Sequence, residues 1–215
     1  MIEFEKHLKH YSTYWWSSFT KLAPEFEWGN IKKARFYLEK YWLPQKEYDN
    51  AWKPIQDKIF INQGKSLPEL LFAEQYNLLA LRGGCLFLEE DFKQLQQSLI
   101  AIGEKYFVVI ENTFGGKLDE PAFRMRFPTD ITWEELTSGD FISSVVFEML
   151  HNEYFVFSES GNWGKYSAND YENPLDIIGF KPELAPVFKK HFKQPKEEQE
   201  EIREWLPKEY KKLIK

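Results

Sequence analysis

The chain has 215 residues and a high aromatic share of 18%, which supports a sizeable core in one large domain. Its net charge of −6 is concentrated in the middle, where residues 81–192 carry 10 basic and 18 acidic side chains. Such a surface disfavours nucleic acid, which is a polyanion, and favours a basic protein as partner. The plainer alternative is that the acidity only keeps the domain soluble.

Targeting signals are not evident in the sequence. The first ten residues contain no apolar run, and no later segment approaches the roughly 18 uninterrupted apolar residues that a membrane span requires. We therefore expect neither a signal peptide nor a transmembrane helix. Cys85 is the only cysteine, so an internal disulfide is impossible. Together these features predict a cytoplasmic protein.

Helical patterns dominate the first third of the chain. Apolar residues spaced three and four apart predict amphipathic helices over residues 2–21 and 30–43. Residues 45–65 indicate a helix that is interrupted at Pro54.

Three segments are expected. Ser66-Leu67-Pro68-Glu69 matches a capping box with proline in the first turn, and it predicts another helix that continues through Ala80. We therefore expect residues 1–81 to form an N-terminal helical segment that packs on the rest. Residues 82–192 are expected to form an α+β core, and residues 193–215 a helical tail that docks loosely or is partly disordered, all within one globular unit.

The central segment mixes strands with helices. A short strand or bridge is expected at 85–88, a doubly buried strand at 106–110 and an alternating strand at 122–127. In the last of these, Arg124 and Arg126 share the polar face and are expected to form cross-strand ion pairs. Because no βαβ register repeats, we predict an α+β fold: an antiparallel sheet of about four to six strands, with helices on one side and an N-terminal helical segment before it.

The most informative stretch is Glu153–Phe180, which predicts a strand, a polar turn, a second strand and an acidic loop. Aromatic side chains for contact area, mixed with carboxylates and amides for orientation, are typical of binding surfaces. The alternative is that Trp163 and Tyr166 are core residues and that the polar residues only form turns. If the stretch is a binding site, the predicted contacts are Glu159, Asn162, Trp163, Asp170, Tyr171 and Glu172.

Catalytic and metal-binding patterns are weak. Glu159 and Asp170 are a candidate carboxylate pair across the hairpin, but the sequence gives no separation between them. His7 and His10 share a helix face without an evident third ligand, and Cys85 is expected to be a small buried hydrophobe. The glycine pairs lack the residues of a phosphate-binding loop. We predict no cofactor, no metal and no catalytic residue.

Part of the sequence resembles a known class of proteins. The residues concerned are Tyr154–Phe157, Ser160–Tyr166 and Ala168–Asp170, together with the Phe127-Pro128 and Ile131–Leu136 region. They resemble small bacterial proteins of the immunity type, which are the partners of polymorphic, contact-dependent toxins. The resemblance covers about residues 82–180. It implies a non-enzymatic cytoplasmic protein that binds one toxin domain and blocks it.

Three functions remain open from the sequence. An immunity-type protein suits the acidic centre, because a nuclease toxin must be basic to hold nucleic acid. A small-molecule or carbohydrate-binding module, with or without hydrolytic activity, would use Trp and Tyr for stacking and two carboxylates for chemistry. A structural α+β protein would place all of these aromatic residues in its core.

Overall fold

An antiparallel sheet of six strands forms the centre of the computed structural model, which describes residues 3–19, 29–113, 122–148, 152–168 and 175–213. The strands are β1 (Asn77–Arg82), β2 (Tyr106–Asn112), β3 (Arg124–Pro128), β4 (Glu153–Ser158), β5 (Trp163–Ser167) and β6 (Leu175–Phe180). Their spatial order is β1-β6-β5-β4-β2-β3, and every neighbouring pair is antiparallel. The predicted α+β class and antiparallel sheet are confirmed.

The helices in these ranges are mostly short. They are α1 (Glu5–Phe19), α2 (Ile31–Tyr41), α3 (Gln45–Glu47), α4 (Lys53–Ile59), α5 (Glu89–Ala101), α6 (Trp133–Leu136), α7 (Phe141–Ser143), α8 (Ala185–His191), α9 (Lys196–Trp205) and α10 (Lys208–Leu213). A π-helical turn at Tyr48–Trp52 precedes Pro54, which lies in the first turn of α4. The expected interruption at this proline is therefore present.

Both faces of the sheet are buried, since alternate residues of each strand enter different cores. On β2, Phe107 and Val109 belong to the larger core, whereas Val108 and Ile110 belong to the smaller one. Helices α1, α2, α5 and α8 contribute to the larger core, and α4, α9 and α10 contribute to the smaller one. We expected helices on one side of the sheet, and the helices of the larger core correspond to that layer. The structure also has a second helical layer, which packs on the opposite face.

The helix expected after the capping box at 66–69 does not form. Residues 77–82 are instead strand β1, which pairs with β6 from Asn77↔Phe180 to Arg82↔Leu175. A run of four apolar residues at 78–81 suits either a buried helix or a strand, and the ladder with β6 decides between them. Tertiary pairing has overridden the local helix signal.

Two other local expectations are wrong. Residues 85–88 form an irregular loop rather than a short strand, with Leu86 and Phe87 buried beneath it. The C-terminal tail is firmly docked rather than loose: Ile202, Leu206 and Tyr210 are buried in the smaller core. The hydroxyl of Tyr210 accepts a 3.0 Å hydrogen bond from the Leu71 backbone N–H.

The alternation predicted for 122–127 is confirmed, because Phe123, Met125 and Phe127 are buried in the larger core. Arg124 and Arg126 point the other way, but they pair with N-terminal elements instead of neighbouring strands. Arg124 lies 3.0 Å from Glu3, and Arg126 pairs with Glu47 of α3. These ion pairs therefore attach N-terminal elements to the edge strand β3.

Membrane insertion of a helix has no support in the described ranges, where none of the helices is both long enough and apolar enough to cross a bilayer.

Candidate functional site

The turn between β4 and β5 is held rigidly. Gly161 adopts a positive φ of 61°, as expected for a turn residue, and its carbonyl oxygen accepts a 2.6 Å hydrogen bond from the Tyr76 hydroxyl. The carbonyl oxygen of Asn162 accepts a 2.9 Å hydrogen bond from the Lys181 backbone N–H. Contacts from two distant segments therefore fix the turn, and Glu159 is exposed at its tip.

A second carboxylate lies beside this turn. Glu104, which follows α5, accepts a hydrogen bond from the Ser160 hydroxyl. The pKa of Glu104 is raised overall, mainly by burial, and the nearby carboxylate of Glu159 adds to the shift. The hydrogen bonds from Ser160 oppose it. We call Glu104, Glu159, Ser160 and Asn162 the acidic turn.

Of the other predicted contacts, the described residues include Trp163. The Trp163 side chain has no exposed surface and lies in the larger core, so it is closed to a partner. Asp170, Tyr171 and Glu172 lie outside the described residues.

A stronger concentration of acidic groups lies elsewhere. The first turns of α5 and α9 border a cavity of about 480 Å³ at the β1 edge of the sheet. The side chains of Arg82, Leu88, Asp91, Glu197, Glu198 and Glu201 line it, together with Pro195. We call these residues the acidic cleft. Leu88 is 55% exposed, which gives the cleft one accessible apolar contact.

The acidic cleft is short of positive charge. Its single cation, Arg82, lies 3.7 Å from Glu201 and stacks over the ring of Trp205 at 5.6 Å. Burial raises the pKa of Asp91 to about 6; Lys165 opposes the shift, whereas Asp176 and Glu198 add to it. A carboxylate in this state is stabilised by any additional cation that enters the cleft.

A buried ion pair lies beneath the cleft, on the larger-core face of β5 and β6. Lys165 and Asp176 are 2.6 Å apart and almost fully buried, and Ser167 donates a 2.7 Å hydrogen bond to the same carboxylate. The ammonium of Lys165 also donates to the carbonyl oxygen of Leu86. Burial raises the pKa of Asp176, and the ammonium of Lys165 opposes this. The pair holds the 83–88 loop on the sheet and has no access for a substrate.

A second polar cluster is buried on the smaller-core face. Tyr166 and Asn112 both donate hydrogen bonds to Glu153. Asn112 also accepts from the Gly64 backbone N–H at 3.0 Å and donates to the Lys65 carbonyl oxygen at 2.8 Å. These bonds attach the loop before β1 to the centre of the sheet, so they stabilise the fold rather than form an open site.

The described residues offer no evident metal site. Within the described ranges, no group of three or more His, Cys, Asp or Glu side chains is arranged to hold a metal ion. His7 is buried against the rings of Trp42 and Phe123, at 5.2 and 5.6 Å, whereas His10 is exposed. Cys85 is half-buried and its thiol bonds to the Phe87 carbonyl oxygen.

Comparison with known proteins adds no assignment: no family model, curated protein or solved structure matches the chain. The fold and surface therefore carry the functional argument by themselves. They define an acidic α+β protein with two exposed carboxylate surfaces beside the two ends of α5.

The acidic cleft was missed by reasoning from the sequence, although its parts were visible. Glu89-Glu90-Asp91 has the character of a helix start, and residues 195–206 are mostly polar and acidic. About 100 residues separate the two segments along the chain. Only the docking of α9 beside β1 brings their carboxylates together.

Proposed function

We propose that this chain is a non-enzymatic cytoplasmic protein of the immunity type, which binds a basic toxin and neutralises it. The observation that carries the proposal is the acidic cleft, where four carboxylates face one guanidinium around an exposed leucine. The resemblance of residues 82–180 to immunity-type proteins points in the same direction.

The cleft suits a Lys or Arg side chain from a partner. An arriving cation would interact with Asp91 and Glu198, and Leu88 would provide an apolar contact beside it. Interfaces commonly combine such an apolar anchor with a charged rim, and opposite potentials also accelerate the encounter. The basic surface that a nuclease uses for nucleic acid would present such side chains.

The acidic turn lies beside the other end of α5 from the cleft. Helix α5 has 13 residues, so the cleft at its start and the turn beyond its end lie about 20 Å apart. A standard interface covers roughly 800 Å² on each partner, a patch about 30 Å across. One partner of ordinary size can therefore contact both Asp91 and Glu159.

The carbohydrate-binding alternative needs accessible aromatic rings. Trp163 and Tyr166 of β5 are both fully buried, so neither is able to stack on a sugar.

The function is tested by capture followed by a growth assay. The tagged protein is used to capture partners from a lysate of its own organism at about 50 mM and about 500 mM salt. We expect one stoichiometric basic partner whose recovery falls at high salt. Expressed alone, that partner should arrest bacterial growth, and co-expression of this chain should restore it. A captured partner that is harmless by itself would contradict the proposal, as would toxicity that this chain does not relieve.

A further inference from the structure

A second cavity, of about 510 Å³, also borders α9. Residues Glu197, Glu198 and Glu201 face the cleft, whereas Ile202 and Leu206 line this second cavity. Glu198 and Ile202 are four residues apart on α9, so with 3.6 residues per helical turn the two cavities border neighbouring faces of this helix. The cavity lies beside the edge strand β1, where the Gln194 side chain donates a 3.0 Å hydrogen bond to the Ala80 carbonyl oxygen.

The floor of the second cavity is apolar. Leu79, Phe192, Ile202 and Leu206 line it, and the last three are at most 6% exposed. Phe192 belongs to the larger core, and Ile202 and Leu206 belong to the smaller one. The cavity therefore opens where the two cores meet at the edge of the sheet, and its volume lies within the range of small-molecule pockets.

The rim carries only positive charge. Lys189, Lys193, Arg203 and Lys211 border the opening, and the lining contains no carboxylate. Among the described residues, no carboxylate oxygen lies within 4.0 Å of their side-chain nitrogens. The Lys211 ammonium instead donates a 3.2 Å hydrogen bond to the backbone carbonyl oxygen of Glu204. Four cations around one opening, without a paired carboxylate among the residues that the structure describes, are unexpected in a chain with a net charge of −6.

From the apolar floor and cationic rim, we propose that this cavity, here called the basic cavity, binds a single-chain amphiphile with an anionic head. The alkyl chain would lie against Leu79, Phe192 and Ile202, where its transfer from water is favourable. The carboxylate or phosphate head would remain at the mouth, near Lys189 and Lys193. The proposal is independent of toxin binding, because the two cavities share no lining residue.

Calorimetric titration of the full chain tests this inference with defined probes below their micelle concentrations. Decanoate and decyl phosphate share the chain and differ in the head, so a preference identifies which anion is bound. Decanol and decyltrimethylammonium keep the chain but lack the negative charge. Acetate and inorganic phosphate keep the charge but lack the chain. We expect an anionic decyl probe to bind at least about tenfold more tightly than any of these four controls.

Variants locate the binding site. Lys189→Glu with Lys211→Glu reverses two rim charges and should weaken binding of the anionic probe about tenfold. Lys190→Glu with Lys208→Glu makes the same charge change on the same two helices, away from the cavity lining, and should have less than about a threefold effect. All four side chains are exposed, so folding should be retained. Equal effects of the two double variants would overturn the inference, as would equal binding of decanol or no binding of either anionic decyl probe.

Discussion

The environment of Asp91 predicts how the protein's stability depends on pH. Burial raises the pKa of this carboxyl from 3.8 to about 6, so the folded state holds its proton more tightly than the unfolded state. The resulting stabilisation is fully present below the unfolded pKa and is lost as the pH rises through about 6. Asp91→Asn removes the ionisation. We therefore expect the variant to gain stability relative to the wild type between pH about 4 and about 7.5.

The magnitude follows from the shift and the exposure of Asp91. One pKa unit corresponds to about 1.4 kcal/mol, so the full shift sets an upper limit of about 3 kcal/mol. The side chain is half-buried, and solvent screening reduces the effect to about 1 kcal/mol. The α5 dipole favours a carboxylate in the first turn, which also supports the smaller figure.

Urea unfolding at pH about 4 and at pH about 7.5, followed by tryptophan fluorescence, measures the difference in unfolding free energy between Asp91→Asn and the wild type. Glu134→Gln is a control of opposite sign. Hydrogen bonds from its own backbone amide and from Thr132 lower the pKa of Glu134, so its stabilisation is present above the unfolded pKa and is lost as the pH falls. That variant should lose stability relative to the wild type at the higher pH. A pH-independent difference between Asp91→Asn and the wild type would refute the reasoning about the cleft.

Two further predictions concern the interior. Lys165→Met should cost about 3–5 kcal/mol of unfolding free energy because it leaves Asp176 buried without its partner, and adding Asp176→Leu should recover most of that loss. Urea titration of the single and double variants checks this, and an additive double loss would contradict it. Tyr210→Phe should cost about 1–2 kcal/mol, because the Leu71 backbone N–H loses its acceptor. An unchanged unfolding midpoint would show that this hydroxyl does not hold the tail.

The central hairpin was predictable because its signals are local. Residues 153–158 and 163–167 are rich in aromatic and β-branched side chains, and turn-forming residues separate them. Register follows from that turn, and the positive φ of Gly161 agrees with its role there. Thr132 likewise caps α6 through a 3.1 Å hydrogen bond from the Glu135 backbone N–H, and a Thr followed three residues later by a Glu is itself a local signal of a helix start.

Features that depend on distant partners could not be predicted in this way. Strand β1 pairs with β6, about 100 residues later, and nothing within 66–82 distinguishes this strand from a helix. The tail appeared loosely attached because few of its residues are apolar, yet Tyr210 reaches Leu71 and Glu69 of another segment.

Among the predicted binding residues, too, local features could be predicted from the sequence, whereas features that depend on distant contacts could not. Glu159 is exposed because it lies at the tip of a polar turn, and its contact with a partner stays a prediction. The burial of Trp163 depends on the rings of Phe180 and Phe188, which the hairpin sequence does not contain. The acidic cleft depends on two helix starts that meet only in the folded chain.

The proposal that the acidic cleft recognises a basic partner is tested most directly by the affinity of the captured partner for two charge-reversed variants. Glu198→Lys with Glu201→Lys changes the cleft itself. Glu200→Lys with Glu204→Lys makes the same charge change on α9 away from the cleft lining. Calorimetry at about 100 mM salt gives the dissociation constant for each.

The account predicts that the cleft variant binds about 100-fold more weakly, equivalent to about 2.7 kcal/mol, while the control variant stays within about threefold of the wild type. Equal weakening of both variants would indicate general attraction to a negative protein, and unchanged affinity of a folded cleft variant would place the binding surface elsewhere. Either result would contradict the assignment of the acidic cleft.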